Sequence, residues 1–161
     1  MTEPLEVQLG PLLRELGVTI CTAESCTGGL IASRITDVSG SSAYMLGGVV
    51  SYSNEAKASI LSVRQGSLMA YGAVSEPVAS EMALGAKALF KADYAISVTG
   101  IAGPGGGTQD KPVGLTFIGL ATPDEVIVQK HIWESDRIGN KAHSAEAALQ
   151  LLFNTVTASA G

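Results

Sequence analysis

Three short apolar runs, residues 18–22, 44–52 and 94–99, each stop abruptly at small polar residues or glycines. The first gives way to a tight turn at Ala23-Glu24-Ser25 and then to a helical pattern carrying Leu30, Ile31 and Ile35. The second ends at Ser53-Asn54, where Asn54 is a natural cap for a short helix containing Glu55, Lys57, Ile60 and Leu61. The third runs straight into Gly100-Ile101-Ala102-Gly103-Pro104-Gly105-Gly106-Gly107, which cannot be regular structure. Strand-length runs separated by amphipathic helices restrict the chain to an α/β arrangement.

The remaining segments agree. Leu5, Leu9, Leu12, Leu13 and Leu16 mark a first helix, with Pro11 kinking it or opening its second half and Gly17 ending it. Ser75-Glu76-Pro77 is a helix start whose buried stripe reads Val78, Met82, Ala86, Leu89 and Phe90. Residues 113–121 and 125–133 read as a hairpin across Thr122-Pro123-Asp124. A last helix from Ser135-Asp136 carries the stripe Ile138, Ala142, Ala145, Leu149, Leu152 and Val156. The expected fold is a three-layer α/β/α domain spanning 1–161, with a mixed, mostly parallel sheet and a late antiparallel hairpin.

Composition narrows the function classes. Charged residues are only 16% of the 161, hydrophobic ones 46%, and the net charge is -5. Such a chain is neither disordered nor generally basic, so no nucleic-acid partner is expected. The acidic N-terminus lacks an apolar signal core, and no run approaches the ~18 apolar residues that span a bilayer. A soluble cytoplasmic protein with no membrane partner is expected. Cys21 and Cys26 read as reduced and packed, and with His131 and His143 twelve residues apart no metal site assembles. The trio Tyr44, Met45 and Leu46, read as exposed, is compatible with a homo-oligomer.

Ligands in open α/β sheets collect at the carboxyl ends of strands. Three unusual segments fall there: Glu24-Ser25-Cys26-Thr27-Gly28-Gly29, Tyr52-Ser53-Asn54-Glu55-Ala56-Lys57, and residues 99–107. Ser25 sits where a strand turns toward a helix, so it is either a helix cap or a hydroxyl exposed beside free backbone N–H groups. A nucleophilic serine needs a base. Neither histidine lies in these segments, which leaves Lys57, either a solvated helix residue or a neutral amine if burial lowers its pKa. Five glycines and a proline within residues 99–107 suit a backbone that approaches an anion closely, yet match no P-loop or dinucleotide fingerprint. Lys111 and Arg137 are candidate phosphate partners.

Taken together, Thr22-Ala23-Glu24-Ser25-Cys26-Thr27-Gly28-Gly29, Tyr52-Ser53-Asn54-Glu55-Ala56-Lys57, Gly72-Ala73-Val74-Ser75, Thr99-Gly100-Ile101-Ala102-Gly103-Pro104 and Lys111-Pro112-Val113-Gly114 resemble the CinA C-terminal domain family. The resemblance covers residues 5–152 with its motifs in order. It implies a nicotinamide-nucleotide amidohydrolase, converting nicotinamide mononucleotide and water to nicotinic acid mononucleotide and ammonia, without metal or cofactor. It implies Ser25 as nucleophile, Lys57 as general base and Tyr52 as completing the hydrogen-bonded group that handles the proton. Substrate-binding positions are then expected at Glu24, Thr27, Gly28, Thr99, Gly100, Gly103, Gly105, Gly106, Lys111 and Arg137. Many members carry a further N-terminal domain that is not in this sequence, so its activity does not transfer. A catalytically silent nucleotide-binding module, or a competence-related interaction module, is the alternative.

Overall fold

In the computed structural model, residues 2–160 are described; the two end residues of the expected 1–161 unit lie outside them. The elements run α1 (Leu5–Leu16), β1 (Ile20–Glu24), α2 (Leu30–Thr36), a 3-10 turn (Ser41–Ala43), β2 (Met45–Val50), α3 (Asn54–Leu61) and α4 (Gln65–Tyr71). They continue with α5 (Glu76–Phe90), β3 (Tyr94–Gly100), β4 (Leu115–Ala121), β5 (Val126–Ile132) and α6 (Arg137–Ala160). The sheet order is β2-β1-β3-β4-β5. β1 pairs parallel with both β2 and β3, while β4 runs antiparallel to β3 and β5. Four strands therefore share one direction, and the late hairpin supplies the exception. This is the expected three-layer α/β fold with a mixed sheet.

Alternation along each strand feeds two cores. Ile20, Tyr94, Ile96, Val98, Ile118 and Leu120 point to the layer of α1, α2 and α6, where they meet Leu9, Leu13, Ile31, Leu149 and Leu152. Cys21, Ala23, Ala95 and Ala121 point the other way, to Val78, Met82, Ala83 and Ala86 of α5. That second face is built from small residues, so α5 lies close to the sheet: Ser97 Oγ donates to Ala79 O at 2.6 Å. Gly119 faces the same contact, where a Cβ would collide with Ser97 and the Ala79 carbonyl.

Local signals set most boundaries. Gly17, at φ +66, caps α1 with its amide on Arg14 O, and the helix passes through Pro11 unbroken by a second start. Ser75 caps α5 by accepting from Val78 N. Ser53, not Asn54, caps α3, accepting from Ala56 N at 3.0 Å. β1 begins and ends two residues later than expected, at Ile20 and Glu24 rather than 18 and 22. Its central place explains this, because neighbours on both sides pair with it through Glu24 and extend the strand into the expected turn.

Five burial expectations need correction. Tyr44 is buried beneath α1 at Gly10 and is not exposed; only Leu46 of its trio is freely exposed and Met45 is half-buried. Leu89 is exposed because α5 ends over β2, where Gly47 makes room for the neighbouring Phe90 ring. Ile138 and Ala142 are exposed because the first turns of α6 overhang the sheet end and leave its core. Among the described residues no helix is long and apolar enough to cross a membrane, and no group of three His, Cys, Asp or Glu could hold a metal ion.

Candidate active site

Ser25 follows the last residue of β1, Lys57 lies in the first turn of α3 just after β2, and Thr99 and Gly100 end β3. Because Glu24 is in register with both Val50 and Val98, these three strand ends finish side by side. Between them opens a cleft of about 220 Å³ lined by Ser25, Cys26, Tyr52, Asn54, Lys57, Ala73, Val74, Thr99, Gly100, Ala102 and Arg137. A larger depression of about 550 Å³ lies at the other end of the sheet, between the β4–β5 turn and the end of α6. Its lining holds no lysine, arginine, histidine or cysteine, so size does not locate the chemistry.

Lys57 Nζ lies 3.0 Å from Ser25 Oγ. The lysine is 1% exposed, and no carboxylate pairs with it among the described residues. Burial pushes its pKa below the ordinary lysine value, since desolvation penalises the ammonium. Nζ also donates to Ser51 O at 2.8 Å and, more distantly, to Tyr52 O at 3.5 Å. With those two carbonyls taken by two N–H bonds, a neutral amine would turn its lone pair to the Ser25 hydroxyl. Cys26, adjacent to Ser25, is buried and its thiol pKa is pushed up to about 11, so it is not a competing thiolate at neutral pH. Cys21 is raised further, to about 12, and both cysteines are free, as expected.

The turn after Ser25 owes its shape to Glu24 and two glycines. Glu24 folds inward, where it accepts from Thr27 Oγ1 at 2.7 Å, Ile31 N at 2.9 Å and Ala32 N at 3.0 Å. Glu24 and Thr27, expected to touch substrate, are instead buried in capping α2. The reason is elementary: the first amides of a helix lack intrahelical acceptors and take the nearest carboxylate. Gly28 and Gly29 adopt φ +63 and +101, which side chains disfavour. The Ser25 amide is bonded to Val98 O and the Gly28 amide to Ser25 O, while those of Cys26 and Thr27 have no backbone carbonyl as acceptor among the described residues.

Other expected positions separate into those at the cleft and those outside it. Thr99 lines it and donates to Ala73 O at 2.8 Å, tying the 72–75 loop to the wall. Gly100 lines it too, packed where a Cβ would meet Cys26 and Thr116. Arg137 crosses the mouth, donating to Gly103 O at 2.7 Å and Tyr52 Oη at 3.1 Å. The Tyr52 hydroxyl, expected to complete the proton-handling group, is therefore turned to Arg137; a guanidinium is the stronger donor and the ring is 63% exposed. Gly103 contributes its carbonyl, whereas Gly105 and Gly106 are exposed and absent from the cleft lining. Lys111 also lies elsewhere, in a neighbouring groove, with its ammonium on Tyr71 O. That bond answers the carbonyl at the C-terminal end of α4, a helix absent from the sequence expectations.

Sequence reasoning missed Asn54, Ala73, Val74 and Ala102 of the lining, and the helix-positioning Asn140, which donates to Ala102 O at 2.9 Å and accepts from Ser135 N at 3.0 Å. Asn54, Ala73, Val74 and Ala102 lie inside the quoted motifs, which were the available signal, but their short side chains suggest no chemistry of their own. His131 and His143 stack on either face of Trp133, away from the cleft lining, as their exclusion as bases requires.

Fold and site together define a three-layer α/β protein with a buried serine–lysine pair at the carboxyl ends of parallel strands. The chain belongs to the CinA C-terminal domain family, whose model matches residues 2–156. It is 52% identical to a CinA-like protein of Chloroherpeton thalassium, over 97% of this chain but 38% of that protein's length. It is 48% identical to the nicotinamide-nucleotide amidohydrolase PncC of Escherichia coli strain K12, over 92% of this chain and 91% of that protein. Among solved structures, the competence/damage inducible protein CihA of Agrobacterium tumefaciens superposes with a TM-score of 0.91 at 37% identity, covering 96% of this chain and 98% of that one.

Proposed function

We propose that this chain is a nicotinamide-nucleotide amidohydrolase acting through Ser25 and Lys57 as one catalytic unit. The observation that carries the reading is the 3.0 Å contact between Ser25 Oγ and a fully buried lysine with no carboxylate partner among the described residues. The 48% identity to an amidohydrolase of nearly the same length supplies the substrate class.

Lys57, neutral, accepts the Ser25 proton as Oγ attacks the carboxamide carbon, and the carbonyl π electrons move to oxygen. The unclaimed amides of Cys26 and Thr27 hold that oxyanion, a contribution of about 3 kcal/mol per donor. As the intermediate collapses, the Lys57 ammonium protonates the departing nitrogen, the C–N bond breaks, and ammonia leaves. Water then adds to the acyl-serine while Lys57 takes its proton. The C–Oγ bond breaks, Ser25 regains a proton, and the pyridine carboxylic acid departs. Arg137 and Tyr52 close the mouth over the ring, and the glycine-rich loop borders the entrance. On this reading the reaction serves cytoplasmic pyridine-nucleotide (NAD) recycling.

Incubating the protein with nicotinamide mononucleotide should release ammonia stoichiometric with nicotinic acid mononucleotide. Ser25→Ala should lower the rate by at least about 10³-fold, while Cys26→Ser keeps most of it. Full activity in Ser25→Ala, or nucleotide binding by the wild type without ammonia release, sinks the proposal.

A further inference from the structure

One turn beyond Arg137, α6 carries a second basic side chain, Lys141. Residues four apart on a helix project from one face, with Cβ atoms about 5–6 Å apart. The two cations are in different situations. Arg137 is engaged by Gly103 O and Tyr52 Oη. Lys141 pairs with no carboxylate among the described residues. Its ammonium stands beside Gly28, 3.8 Å from where a Cβ on that glycine would project. Gly28 is exposed with φ +63, so the turn shows bare backbone there. The positive charge of Lys141 is felt at the Cys26 thiol, so the ammonium stands close to the turn that presents Ser25. An unpaired cation thus stands over an exposed turn that bears no side chain at Gly28, an arrangement that suits an anion.

The cleft's size indicates which anion. At about 220 Å³ it falls below the roughly 300–1,000 Å³ of sites that enclose a drug-sized ligand. A pyridine carboxamide fits against Ser25, but ribose and phosphate extend past the rim. Lys141 does not line the cleft; it stands outside it, beyond the Cys26–Gly28 turn. We propose that Lys141, standing over the side-chain-free turn at Gly28, is the phosphomonoester-recognition group that selects a nucleotide over its dephosphorylated counterpart. This rests on the amidohydrolase reading for its substrate. A phosphomonoester carries nearly two negative charges above its second pKa of about 6, so an otherwise unpaired ammonium discriminates strongly against the riboside, whose only charge is its pyridinium cation.

Two measurements on the full chain test it. Calorimetric binding of ribose 5-phosphate, which needs no turnover, should weaken at least tenfold in Lys141→Met and recover to within threefold of wild type in Lys141→Arg. In ammonia release, the ratio of kcat/KM for nicotinamide mononucleotide to that for nicotinamide riboside should fall at least tenfold in Lys141→Met. The fall should lie in KM, with kcat for the nucleotide within threefold. An unchanged ratio, equal losses on both substrates, or a loss confined to kcat overturns the proposal. Equal binding of inorganic phosphate and ribose 5-phosphate, unaffected by Lys141→Met, overturns it as well. Lysine-dependent sugar-phosphate binding by a wild type that releases no ammonia supports the site and overturns the amidohydrolase reading alone.

Discussion

Arg34 and Lys57 are both basic side chains of the helical layers, on opposite faces of the sheet, and they are treated in opposite ways. Arg34 of α2 meets Glu6 of α1 at 2.6 Å and Glu146 of α6 at 2.8 Å. Burial would lower its pKa, but hydrogen bonds and charge from the two carboxylates raise it. Burial would likewise raise Glu6, yet bonding to Arg34 leaves it below the usual carboxylate value. Lys57 is more deeply buried and receives no such answer, only a serine and two carbonyls. A paired charge ties three helices together, whereas the unpaired one is the amine proposed to act as base. The lesson is that the candidate base is recognised by the carboxylate missing around it.

The sharpest way to break this contrast is Lys57→Met. Amidase activity should fall by at least about 10³-fold, because no other base reaches Ser25. Stability should move the other way, rising by about 1–3 kcal/mol, since an apolar side chain of similar length replaces a desolvated amine. The sign in pH follows from linkage. A lysine with a lowered folded pKa binds fewer protons folded than unfolded, so wild-type stability increases as pH rises from the folded value toward the ordinary one near 10.5. The stability gap between Lys57→Met and wild type should therefore be largest near neutrality or below and close as pH approaches that ordinary range. Activity should rise with pH through the lowered pKa. A constant gap in thermal melts from pH 7 to pH 10, or a destabilised variant, contradicts an uncompensated lysine.

A smaller effect belongs to Glu24, a buried charge whose partners are backbone amides. Glu24→Ala leaves the Ile31 and Ala32 amides and the Thr27 hydroxyl without their acceptor, costing about 2–3 kcal/mol. Turnover should drop about tenfold as the turn presenting Ser25 loosens, with KM less affected. Glu24→Gln, which keeps one acceptor oxygen, should recover roughly half of the stability. If Glu24→Ala instead raises KM with unchanged melting, the carboxylate is a substrate contact after all.

The sequence made the strand-end segments legible because strand runs and helix caps are local. Ser75 announces α5 within three residues, and Gly17 ends α1 alone. Ser25 and Lys57 were legible as residues for the same reason, while their 3.0 Å meeting depends on the β1–β2 register and on no local pattern. What failed locally was decided across the fold. Glu24 reads as a polar turn residue until α2 is placed over it, and Tyr52 reads as a partner of Lys57 until α6 brings Arg137 to its hydroxyl. α4 was illegible because it has neither a side-chain cap nor an apolar stripe, only Gly66 in its first turn. Lys141 was passed over since a lone helical lysine looks like surface until its neighbours prove to lack a counter-ion.

The smallest expected effect completes the comparison from its paired side. Arg34→Met removes the cation shared by Glu6 and Glu146 but leaves Glu24 to hold the start of α2. Glu6 and Arg34 are largely shielded but keep 13% and 20% of their side-chain surface exposed, so water and salt still reach the pair, and Glu146 at 57% is mostly screened by water. The loss should therefore be about 1 kcal/mol, with turnover within twofold of wild type. It should shrink in high salt, as a screened pair does and the Lys57 effect does not. It should also shrink in acid. Glu6 has a lowered folded pKa, so its contribution is present above the ordinary carboxylate value and disappears as pH falls through the folded one. The two substitutions thus diverge on both axes: Lys57→Met abolishes activity while strengthening the fold, and Arg34→Met weakens the fold while sparing activity. Urea melts at two salt concentrations, with ammonia release measured on the same preparations, separate them. An Arg34→Met protein as inactive as Lys57→Met would mean that the ion-paired layer, and not the unpaired lysine alone, sets the geometry of Ser25.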